Sequence, residues 1–394
     1  MSRLTHVSLT VVTAVAPLLM AAGVPVAAHP ADVVVGWNRA LVEAITAAQL
    51  PPPPAMRAGA IVAVSVYQAV ALERPRGTSA PAAAAGAAHR TLAGLFPAQR
   101  AAFDARLAAT LAGLPDRGGS VGRGVAWGAS VADGVLARRA DDGFSAVLPP
   151  YVPDPAPGRW RPTPPAFPAA PSFRQFAGMT PWTLRSPAQF RPPPPPALDS
   201  ARYARDLAEV RAAGQLTSAT RGAFDTQTAQ FWQSATPIAL WDPVADALIV
   251  RHRLGLTEAA RLLMKVNVAM ADTVIAVWNA KNFFDTWRPV TAIQAADPAW
   301  RPLLDTPTFQ EYPAGHPAVS QAAAAMLAHR FGDRTRYTLT SPGMPGVTRT
   351  LPSFSAGVAQ TSDARVFGGI HFRFACEAAT AMGRKVAAYV EVQL

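Results

Sequence analysis

Hydrophobic and polar positions follow the period of an α-helix over most of this chain. Between residue 31 and about residue 140, apolar residues recur every three or four positions in four runs that Pro and Gly residues separate. The runs are VVVGWNRALVEAITAAQL, AMRAGAIVAVSVYQAVALE, AAHRTLAGLFPAQRAAFDARLAATLAGL and GRGVAWGASVADGVLARRA. Several long helices with short connections indicate a helical bundle.

A different pattern fills residues 149–199, where proline recurs too densely for a helix or a central strand. Large rings stand among the prolines: Trp160, Phe167, Phe173, Phe176, Trp182 and Phe190. A flexible linker rarely carries so many, so we expect an irregular belt packed on the helices with its aromatic residues buried. The run PPPPP at 192–196 also suits a polyproline II ligand, and that alternative stays open.

Helical periodicity resumes near residue 200, in SARYARDLAEVRAAG, SATRGAFDTQTAQFWQ, VADALIVRHRLG and TEAARLLMKVNVAMADTVIAVWNAKN. Two short β-prone runs flank a Pro-Gly turn near 336–352 and predict a small β-hairpin. Because no strand alternates with the helices, we expect an all-α protein rather than α/β. Its expected parts are an N-terminal helical part (29–148), the belt (149–199) and a C-terminal helical domain (200–394).

The first 28 residues have the pattern of a secretory signal peptide. Arg3 precedes an apolar stretch from Val7 to Val26, and small residues at 26–28 suit cleavage before His29. We therefore expect export to the periplasm or the cell exterior by general secretion, with an uncleaved membrane anchor as the alternative. No later segment is expected to be long and apolar enough to span a bilayer.

Composition narrows the possible partners. The chain has 394 residues, half of them hydrophobic, and a net charge of +11. No block of consecutive basic residues occurs, and no basic stretch has regularly spaced aromatics, so small anions rather than nucleic acid are the expected partners. The single cysteine, Cys376, cannot form an intramolecular disulfide and is expected to be buried as a small hydrophobe. The oligomeric state is not indicated.

The first of three groups of candidate site residues lies in the segment KNFFDTWRPV. Lys281 and Arg288 are seven residues apart, so on a continuous helix they would point within roughly 20° of each other. They suit either a solvated pair of surface cations or two ligands of one anion. The chain has only three lysines, and this one stands among large aromatic residues where an idle charge is costly. Asp285 is the expected counter-charge.

The second group is EYPAGHPAVS. Proline is favoured as the first helical residue, so we expect a helix to begin at Pro317 with His316 in the N-cap region and the Gly315 N–H exposed beside it. Such a corner attracts anions through its free N–H groups and the helix dipole. A histidine that only caps or packs the helix is the alternative.

The third group lies in DARVFGGIHFRFACEAATAMGRKVAAYV. Gly368-Gly369 is expected to break the helix between Arg365 and His371, which places His371 at the start of a final amphipathic helix. The sequence has no His-Glu-x-x-His, Gly-x-Ser-x-Gly, phosphate-binding loop or Rossmann glycine pattern. These absences argue against zinc, serine-hydrolase and nucleotide sites.

Taken in chain order, the three groups resemble the three-part signature of the type 2 phosphatidic acid phosphatase and vanadium haloperoxidase superfamily. The matching residues are Lys281 with Arg288-Pro289, Pro313-x-Gly315-His316, and Arg365 with His371. The segments ADVVVGWNRALVEAI and PPPPAMRAG and the belt are similar to exported bacterial vanadium haloperoxidase-like proteins. The resemblance therefore covers nearly all of the chain after residue 28.

The resemblance implies a helical bundle of the acid phosphatase/vanadium haloperoxidase type that holds vanadate or phosphate. The three cations and the Gly315 N–H would hold the oxygens of the anion. His371 would bond vanadium or attack phosphorus, and His316 would be the general acid/base. Fixed cations suit a transferring oxyanion, whose equatorial oxygens gain negative charge. In such proteins, rings like Trp287 and Phe309 line the halide side of the pocket.

Two positions depart from the pattern that the resemblance implies. Ala314 stands where the superfamily usually has a serine that donates to the anion. Ala375 stands where an aspartate commonly follows the metal-binding histidine by four residues, and Glu377 is the nearest carboxylate in sequence.

Three functions follow. One is a vanadate-dependent peroxidase that uses hydrogen peroxide to oxidise bromide or chloride. Another is an exported acid phosphatase that hydrolyses phosphate esters through a phosphohistidine at His371, with no cofactor. The third is a degenerate oxyanion-binding protein without activity. Vanadate mimics phosphate, so these residues do not separate the first two.

Overall fold

Helices form where apolar residues recur at every third or fourth position. The structure is a computed structural model that describes residues 29–394, so the predicted signal peptide lies outside the described residues. Over that range it has thirteen α-helices and one two-stranded sheet, which confirms the all-α class. The first five helices are α1 (Ala31–Ala47), α2 (Pro52–Ala71), α3 (Ala80–Leu95), α4 (Arg100–Ala112) and α5 (Ser120–Arg138).

Eight helices and the hairpin follow the belt. The helices are α6 (Ala201–Ala213), α7 (Ala223–Gln233), α8 (Pro237–Arg251), α9 (Leu256–Phe284), α10 (Pro289–Gln294), α11 (Gly315–Phe331), α12 (Phe354–Phe367) and α13 (Arg373–Gln393). The predicted hairpin is confirmed as β1 (Tyr337–Thr340) paired antiparallel with β2 (Thr348–Leu351). The third predicted N-terminal run divides at Pro97, since proline cannot continue the hydrogen bonds of α3.

One hydrophobic cluster joins the N-terminal and C-terminal helices. It contains Leu41 of α1, Met270 of α9 and Ala387 of α13, all fully buried. The 29-residue helix α9 contacts α1, α2, α11 and α13 and so lies at the centre of the bundle. The division at residues 148 and 199 stays a prediction, because helices on both sides of the belt share this core.

Helix α2 corrects one expectation. Among residues 29–394, it is the one helix long and apolar enough to cross a membrane by length and composition, so the expectation of no such segment is wrong. Of its most apolar window, 72% is buried inside the protein. Its apolar surface is therefore taken up by α3 and α9, as in a core helix.

The belt packs on the helices largely as expected. It is irregular apart from a 3₁₀ turn at Arg174–Gly178, and Trp160 and Phe176 are fully buried. Phe167 is an exception, because its side chain is 62% exposed and its φ of 43° lies in the left-handed region. The proline run is bound to the segment before α11 through Tyr312, whose hydroxyl donates to the Pro193 carbonyl at 2.7 Å.

Asp272 anchors the belt to α9. Its buried carboxylate accepts from the backbone N–H groups of Trp182, Thr183 and Leu184 and from the Thr183 hydroxyl, at 2.6–3.3 Å. The carboxylate thereby satisfies three backbone N–H groups that no regular secondary-structure element pairs. This segment reaches the bundle through polar contacts as well as through its rings.

A pair of buried carboxyl groups lies inside α8. Asp242 and Asp246 are one turn apart; Asn267 Nδ2 donates to both oxygens of Asp242 at 3.1 and 3.2 Å, and Asn38 Nδ2 donates to Asp246 at 3.0 Å. Burial raises the pKa of Asp242 to about 7 and raises the pKa of Asp246 well above its usual value.

The pair makes folding stability depend on pH. A carboxyl whose pKa is higher folded than unfolded stabilises the fold below the unfolded pKa, and that contribution is lost as the pH rises through the folded pKa. In the wild type, one such carboxyl lowers the free energy of unfolding by up to about 1.4 kcal/mol per pH unit as the pH rises. We therefore expect the melting temperature to fall less steeply between pH 5 and pH 8 in Asp242→Asn than in the wild type. Calorimetry at several pH values checks this, with Asp199→Asn, a substitution at an exposed carboxylate, as the control. Equal slopes of melting temperature against pH for wild type and Asp242→Asn would contradict the prediction.

Candidate oxyanion site

Three segments that are far apart in sequence meet at one end of α9. They are the last turn of α9, the start of α11, and the connection between α12 and α13. Helix α11 packs against α9, α12 and α13, so its first residues face the other two segments. The three predicted groups are thereby brought together.

Lys281 and Arg288 are both fully buried, which rules out the solvated pair of surface cations. They are not on one helix, because α9 ends at Phe284 and Asp285 adopts φ 49° and ψ 47° as its C-cap. The angle expected on a continuous helix therefore does not apply to this pair. Arg288 is the N-cap of α10, and the turn rather than the helical period places it beside Lys281.

Glu311, not Asp285, is the counter-charge. Lys281 Nζ donates to the carbonyls of Gln310 and Glu311 at 2.7 and 2.9 Å. The Asp285 carboxylate instead accepts from Tyr151 Oη and Gln310 Nε2. The Glu311 side chain has 0% exposure and lies in the field of both cations.

Helix α11 begins two residues earlier than expected. Ala314 is its N-cap, so Gly315 and His316 are its first helical residues and Pro317 is its third. The first N–H groups of a helix have no acceptor in a preceding turn, so Gly315 and His316 present theirs at the N-terminus. A Cβ at Gly315 would meet only the Trp278 ring, at 3.8 Å, so the backbone there borders open space.

A glycine turn places Arg365 and His371. Arg365 lies in the last turn of α12, Gly369 has φ 74°, and His371 directly precedes Phe372, the N-cap of α13. A Cβ at Gly369 would lie 2.5 Å from the Gly214 carbonyl oxygen, so both the conformation and the space require glycine. The predicted break is confirmed, and Arg365 and His371 reach the same site across it.

Sequence reasoning missed the residue that orients His371. Glu311 Oε1 lies 2.9 Å from His371 Nδ1 and also accepts the Phe372 N–H at 3.0 Å. Glu377 is exposed and pairs with Arg202, so it does not take the place of the aspartate absent at Ala375. Glu311 and His371 are 60 residues apart, and only the tertiary fold brings them together.

These contacts fix the tautomer of His371. Arg288 Nη1 lies 3.1 Å from His371 Nε2, and a guanidinium only donates, so Nε2 accepts and Nδ1 carries the proton to Glu311. Burial and the nearby charges of Arg288, Lys281 and Arg365 hold the pKa of His371 well below its ordinary value. The imidazole is therefore neutral near neutral pH, with its Nε2 lone pair turned toward the cations.

The site has three buried cations and one carboxylate. Burial lowers the pKa of Arg288 to about 9 and that of Arg365 to about 10, so both guanidiniums stay charged at neutral pH. Burial, with the charge of Arg288, lowers the pKa of Lys281. Burial and all three cations likewise lower the pKa of His316. This excess of positive charge favours binding of an anion.

A cavity of about 420 Å³ opens onto the site. Gly315, His316, Arg365, His371 and Phe309 line it, whereas Lys281 and Arg288 lie behind this wall, with the Phe309 ring 5.2 Å from Lys281 Nζ and 4.9 Å from Arg288 Cζ. Trp287 does not line this cavity; its indole donates to Tyr203 Oη at 2.8 Å. Trp278 is the tryptophan of the wall, so of the two predicted rings only Phe309 lies there.

Comparisons with known proteins identify the fold of this chain. The family model described as the VCPO second helical-bundle domain matches residues 261–393, which contain every predicted site residue. The structure of a bacterial vanadium-dependent iodoperoxidase is similar to 92% of this chain and 96% of its own, with 27% identity and a TM-score of 0.83. This chain has the vanadium haloperoxidase fold. The resemblance inferred from the motifs is confirmed.

Bacterial vanadium-dependent chloroperoxidases share the vanadium haloperoxidase fold at 17% identity. The holo form matches with a TM-score of 0.67 over 93% of both chains, and the apo form with 0.69 over 87% of this chain and 94% of that one. No curated protein matches the chain by sequence.

Vanadate is the oxyanion that the vanadium haloperoxidase fold implies, and the residues present fit it. Arg288 Nη2 and Arg365 Nε and Nη2 are buried and have no hydrogen-bond partner among residues 29–394. Lys281 uses two of its three donors on carbonyls. Buried charged donors without acceptors are costly, and an oxyanion would satisfy them.

Proposed function

We propose that this chain is a vanadate-dependent haloperoxidase that uses hydrogen peroxide to oxidise halide ions. The observation that carries the proposal is the set of unpaired buried guanidinium donors on Arg288 and Arg365, beside two histidines at the wall of a cavity. The likeness to the iodoperoxidase, at 27% identity, supports iodide as the first halide to test. The phosphatase and the inactive oxyanion-binding protein are not favoured.

Each residue has a separate role in holding the anion. Arg288 and Arg365 would donate their unpaired N–H groups to vanadate oxygens, with the third donor of Lys281 and the N–H of Gly315. His371 Nε2 would bind the metal in exchange for its contact with Arg288 Nη1. Glu311 keeps the Nδ1 proton in place, which leaves the Nε2 lone pair free for that bond.

Vanadate, when bound, would supply the Lewis-acid chemistry that activates hydrogen peroxide toward attack by halide. His316 borders the same cavity as His371 and is the residue placed to move protons there. Neutral His316 would take a proton from entering peroxide and return it to the departing oxygen. Burial and the three cations hold the pKa of His316 well below its ordinary value. A bound anion would oppose the field of the cations and so favour protonated His316.

Three assays on the purified chain separate the proposed functions. We expect peroxide-driven iodide oxidation that requires added vanadate, with little hydrolysis of 4-nitrophenyl phosphate. Bromide and chloride are tested in parallel. Iodide oxidation that ignores vanadate would contradict the haloperoxidase proposal, hydrolysis of the ester alone would support the phosphatase, and neither activity would support an inactive protein.

Ala314→Ser tests the departure at the helix start. Ala314 is buried at the N-cap of α11, where a serine hydroxyl would stand beside the Gly315 N–H. A hydrogen bond to a charged group is worth about 1.5 to 3 kcal/mol, so vanadate binding is expected to tighten by about 10-fold or more. Calorimetric titration measures it against Ala322→Ser, an equally buried position further along α11. Unchanged affinity would show that the hydroxyl does not reach the anion.

We also propose that the chain is exported. The support is the pattern of residues 1–28, a basic start, an apolar stretch and small residues before His29. Mass spectrometry of the protein recovered outside the cytoplasm of an expressing cell should find an N-terminus near His29. A full-length chain retained in the cytoplasm would contradict the proposal.

A further inference from the structure

An apolar loop protrudes where the belt begins. Residues 147–153, VLPPYVP, form this belt loop and include no charged side chain. Val147 is 97% exposed, Val152 is 83% exposed, and Leu148 lies exposed between them. Single exposed apolar residues are ordinary on protein surfaces, but a contiguous set of them marks a surface that binds a partner or a membrane.

The belt loop rests on a fixed base. Three of its seven residues are prolines, and the proline ring fixes φ. Arg174 Nη1 donates to the Pro149 carbonyl at 3.0 Å, and the guanidinium lies over the Tyr151 ring, with Cζ 5.4 Å from its centroid. The same ring packs edge-on against buried Trp160, with 5.5 Å between the centroids. Because the loop is held in place, burying its apolar tips costs little conformational freedom.

Arginines border the belt loop. Residues 147–199 contain five arginines and two aspartates, with no lysine or glutamate. The aspartate nearest to the loop in sequence, Asp154, is paired with Arg159 at 3.0 Å. Arg191 Nη2 donates to Asn279 Oδ1 at 2.7 Å, and its Cζ is 3.8 Å from the centroid of the exposed Phe283 ring. An apolar surface bordered by an excess of arginine favours a partner with negative charge.

A depression of about 560 Å³ lies between the belt loop and the end of α9. The loop forms one side, and Ala177, Asn282 and Asp285 line the rest. Asn279 Nδ2 donates to the Ala177 carbonyl at 3.0 Å, so Arg191, which binds Asn279, borders the same depression. The Asp285 carboxylate already accepts two hydrogen bonds, which leaves the arginines as the charges that a partner meets.

The belt loop is separate from the oxyanion site. In the part of the chain that the structure describes, the lining of this depression shares no residue with the lining of the cavity of about 420 Å³. Gln310 lines the depression and Phe309 lines the cavity, so neighbouring residues of one segment face the two spaces. A partner bound at the belt loop therefore leaves the oxyanion cavity open.

A lipid surface fits the belt loop better than a second copy of the chain or an acidic protein does. In a symmetric dimer the same patch meets itself, which would bring the arginines of both copies together. A folded protein would need a recess for each protruding valine, whereas a bilayer admits apolar side chains without a matching shape. Anionic headgroups also supply the negative charge that the arginines favour.

We propose that the belt loop binds the protein to anionic lipid bilayers as a peripheral contact. Val147, Leu148 and Val152 enter the boundary between headgroups and acyl chains, while Arg174 and Arg191 lie at the level of the phosphates. One loop supplies few apolar contacts, so binding is reversible and needs its apolar and its charged parts together. The net charge of +11 adds attraction at longer range.

Co-sedimentation with vesicles tests the contact, with the same N-terminus in every protein compared. The wild type should bind vesicles of phosphatidylglycerol and phosphatidylcholine at least about 10-fold more strongly than phosphatidylcholine alone, and about 0.5 M salt should remove most of this difference. No binding to the anionic vesicles at low salt would overturn the proposal. The assay needs neither vanadate nor peroxide, so failure of the haloperoxidase proposal leaves it intact.

The double variant Val147→Ser, Val152→Ser tests the apolar tips. Exposed substitutions rarely disturb folding, and binding to the anionic vesicles should weaken at least about 10-fold because two apolar side chains no longer enter the bilayer. Val392→Ser is the matched control, since Val392 is 81% exposed at the end of α13. Wild-type binding by the double variant, or equal weakening by the control, would overturn the proposal.

Arg191→Gln tests the charged part. It should weaken binding to the anionic vesicles several-fold and leave binding to neutral vesicles unchanged, whereas Arg334→Gln, which removes an exposed charge near the hairpin, should have little effect. Equal effects of the two variants would show that only net charge matters and would overturn the local contact. Sedimentation velocity checks the other occupant: a wild-type dimer that the double valine variant converts to a monomer would assign the belt loop to a second copy instead.

Discussion

Replacing His371 with alanine is expected to abolish vanadate-dependent halide oxidation and to weaken vanadate binding by at least about 100-fold. His371 presents the lone pair of Nε2 at the buried cations, and its Nδ1 proton is held by Glu311. Removing an outer-shell partner of a metal ligand commonly costs 10- to 100-fold, so removal of the ligand itself is expected to cost at least as much. Vanadate titration and initial rates of iodide oxidation measure both effects.

The control for His371→Ala is His329→Ala. His329 lies at the C-terminal end of α11, is exposed and pairs with Glu391, far from the start of the same helix. It should retain wild-type binding and turnover. Wild-type turnover in folded His371→Ala would show that another group binds the anion, and loss in both variants would point to a general effect on stability.

Glu311→Gln is expected to lower both stability and activity. Glu311 is the carboxylate that offsets the buried charges of Lys281 and Arg288, and burial raises its own pKa to about 7. Removing one partner from a buried set of charges costs about 3–5 kcal/mol. The melting temperature should therefore fall, and added vanadate or phosphate should recover part of the loss because the anion supplies the missing negative charge.

Activity should fall by about 10- to 100-fold in Glu311→Gln, since the partner of a metal-binding histidine tunes its basicity. Glu311→Asp separates charge from position: it restores the charge but is one methylene too short for the 2.9 Å contact with His371 Nδ1. It should recover stability more than turnover. Full recovery of turnover in Glu311→Asp would mean that charge alone matters.

Glu377→Gln is the matched control for Glu311→Gln. Glu377 is the carboxylate nearest to His371 in sequence, but it is exposed and bound to Arg202. Exposed substitutions usually change stability by less than about 0.5 kcal/mol, and no loss of activity is expected. If Glu377→Gln were the damaging change and Glu311→Gln the neutral one, the assignment of the orienting carboxylate would be reversed.

The helices and the order of the motifs could be predicted because both depend on local pattern. The apolar period marks each helix, and the Gly368-Gly369 break is visible as two adjacent glycines. The ends of helices depend on more than this local pattern. Proline is tolerated throughout the first helical turn, so Pro317 does not fix the start of α11. Helix α9 ends at Phe284, and its C-cap is Asp285 rather than a glycine.

Long-range partners could not be predicted from one sequence. Glu311 meets His371 because the segment before α11 crosses the end of α9 and the turn before α13, and no local spacing records that crossing. Trp287 and Trp278 lie nine residues apart near the end of α9, but only Trp278 faces the cavity. Burial of Lys281 could be suspected from its aromatic neighbours, but its carbonyl partners depend on the fold.

The central claim is tested most directly by titrating the vanadate-free protein with vanadate. Calorimetry measures binding, and the rate of iodide oxidation is measured on the same samples. The account predicts one binding site per chain, with activity that rises in proportion to occupancy and reaches its maximum at one equivalent. Phosphate should compete for the site and lower both signals together. Absence of vanadate binding, or iodide oxidation that does not follow occupancy, would contradict the claim that these buried cations and histidines form a vanadate-dependent haloperoxidase site.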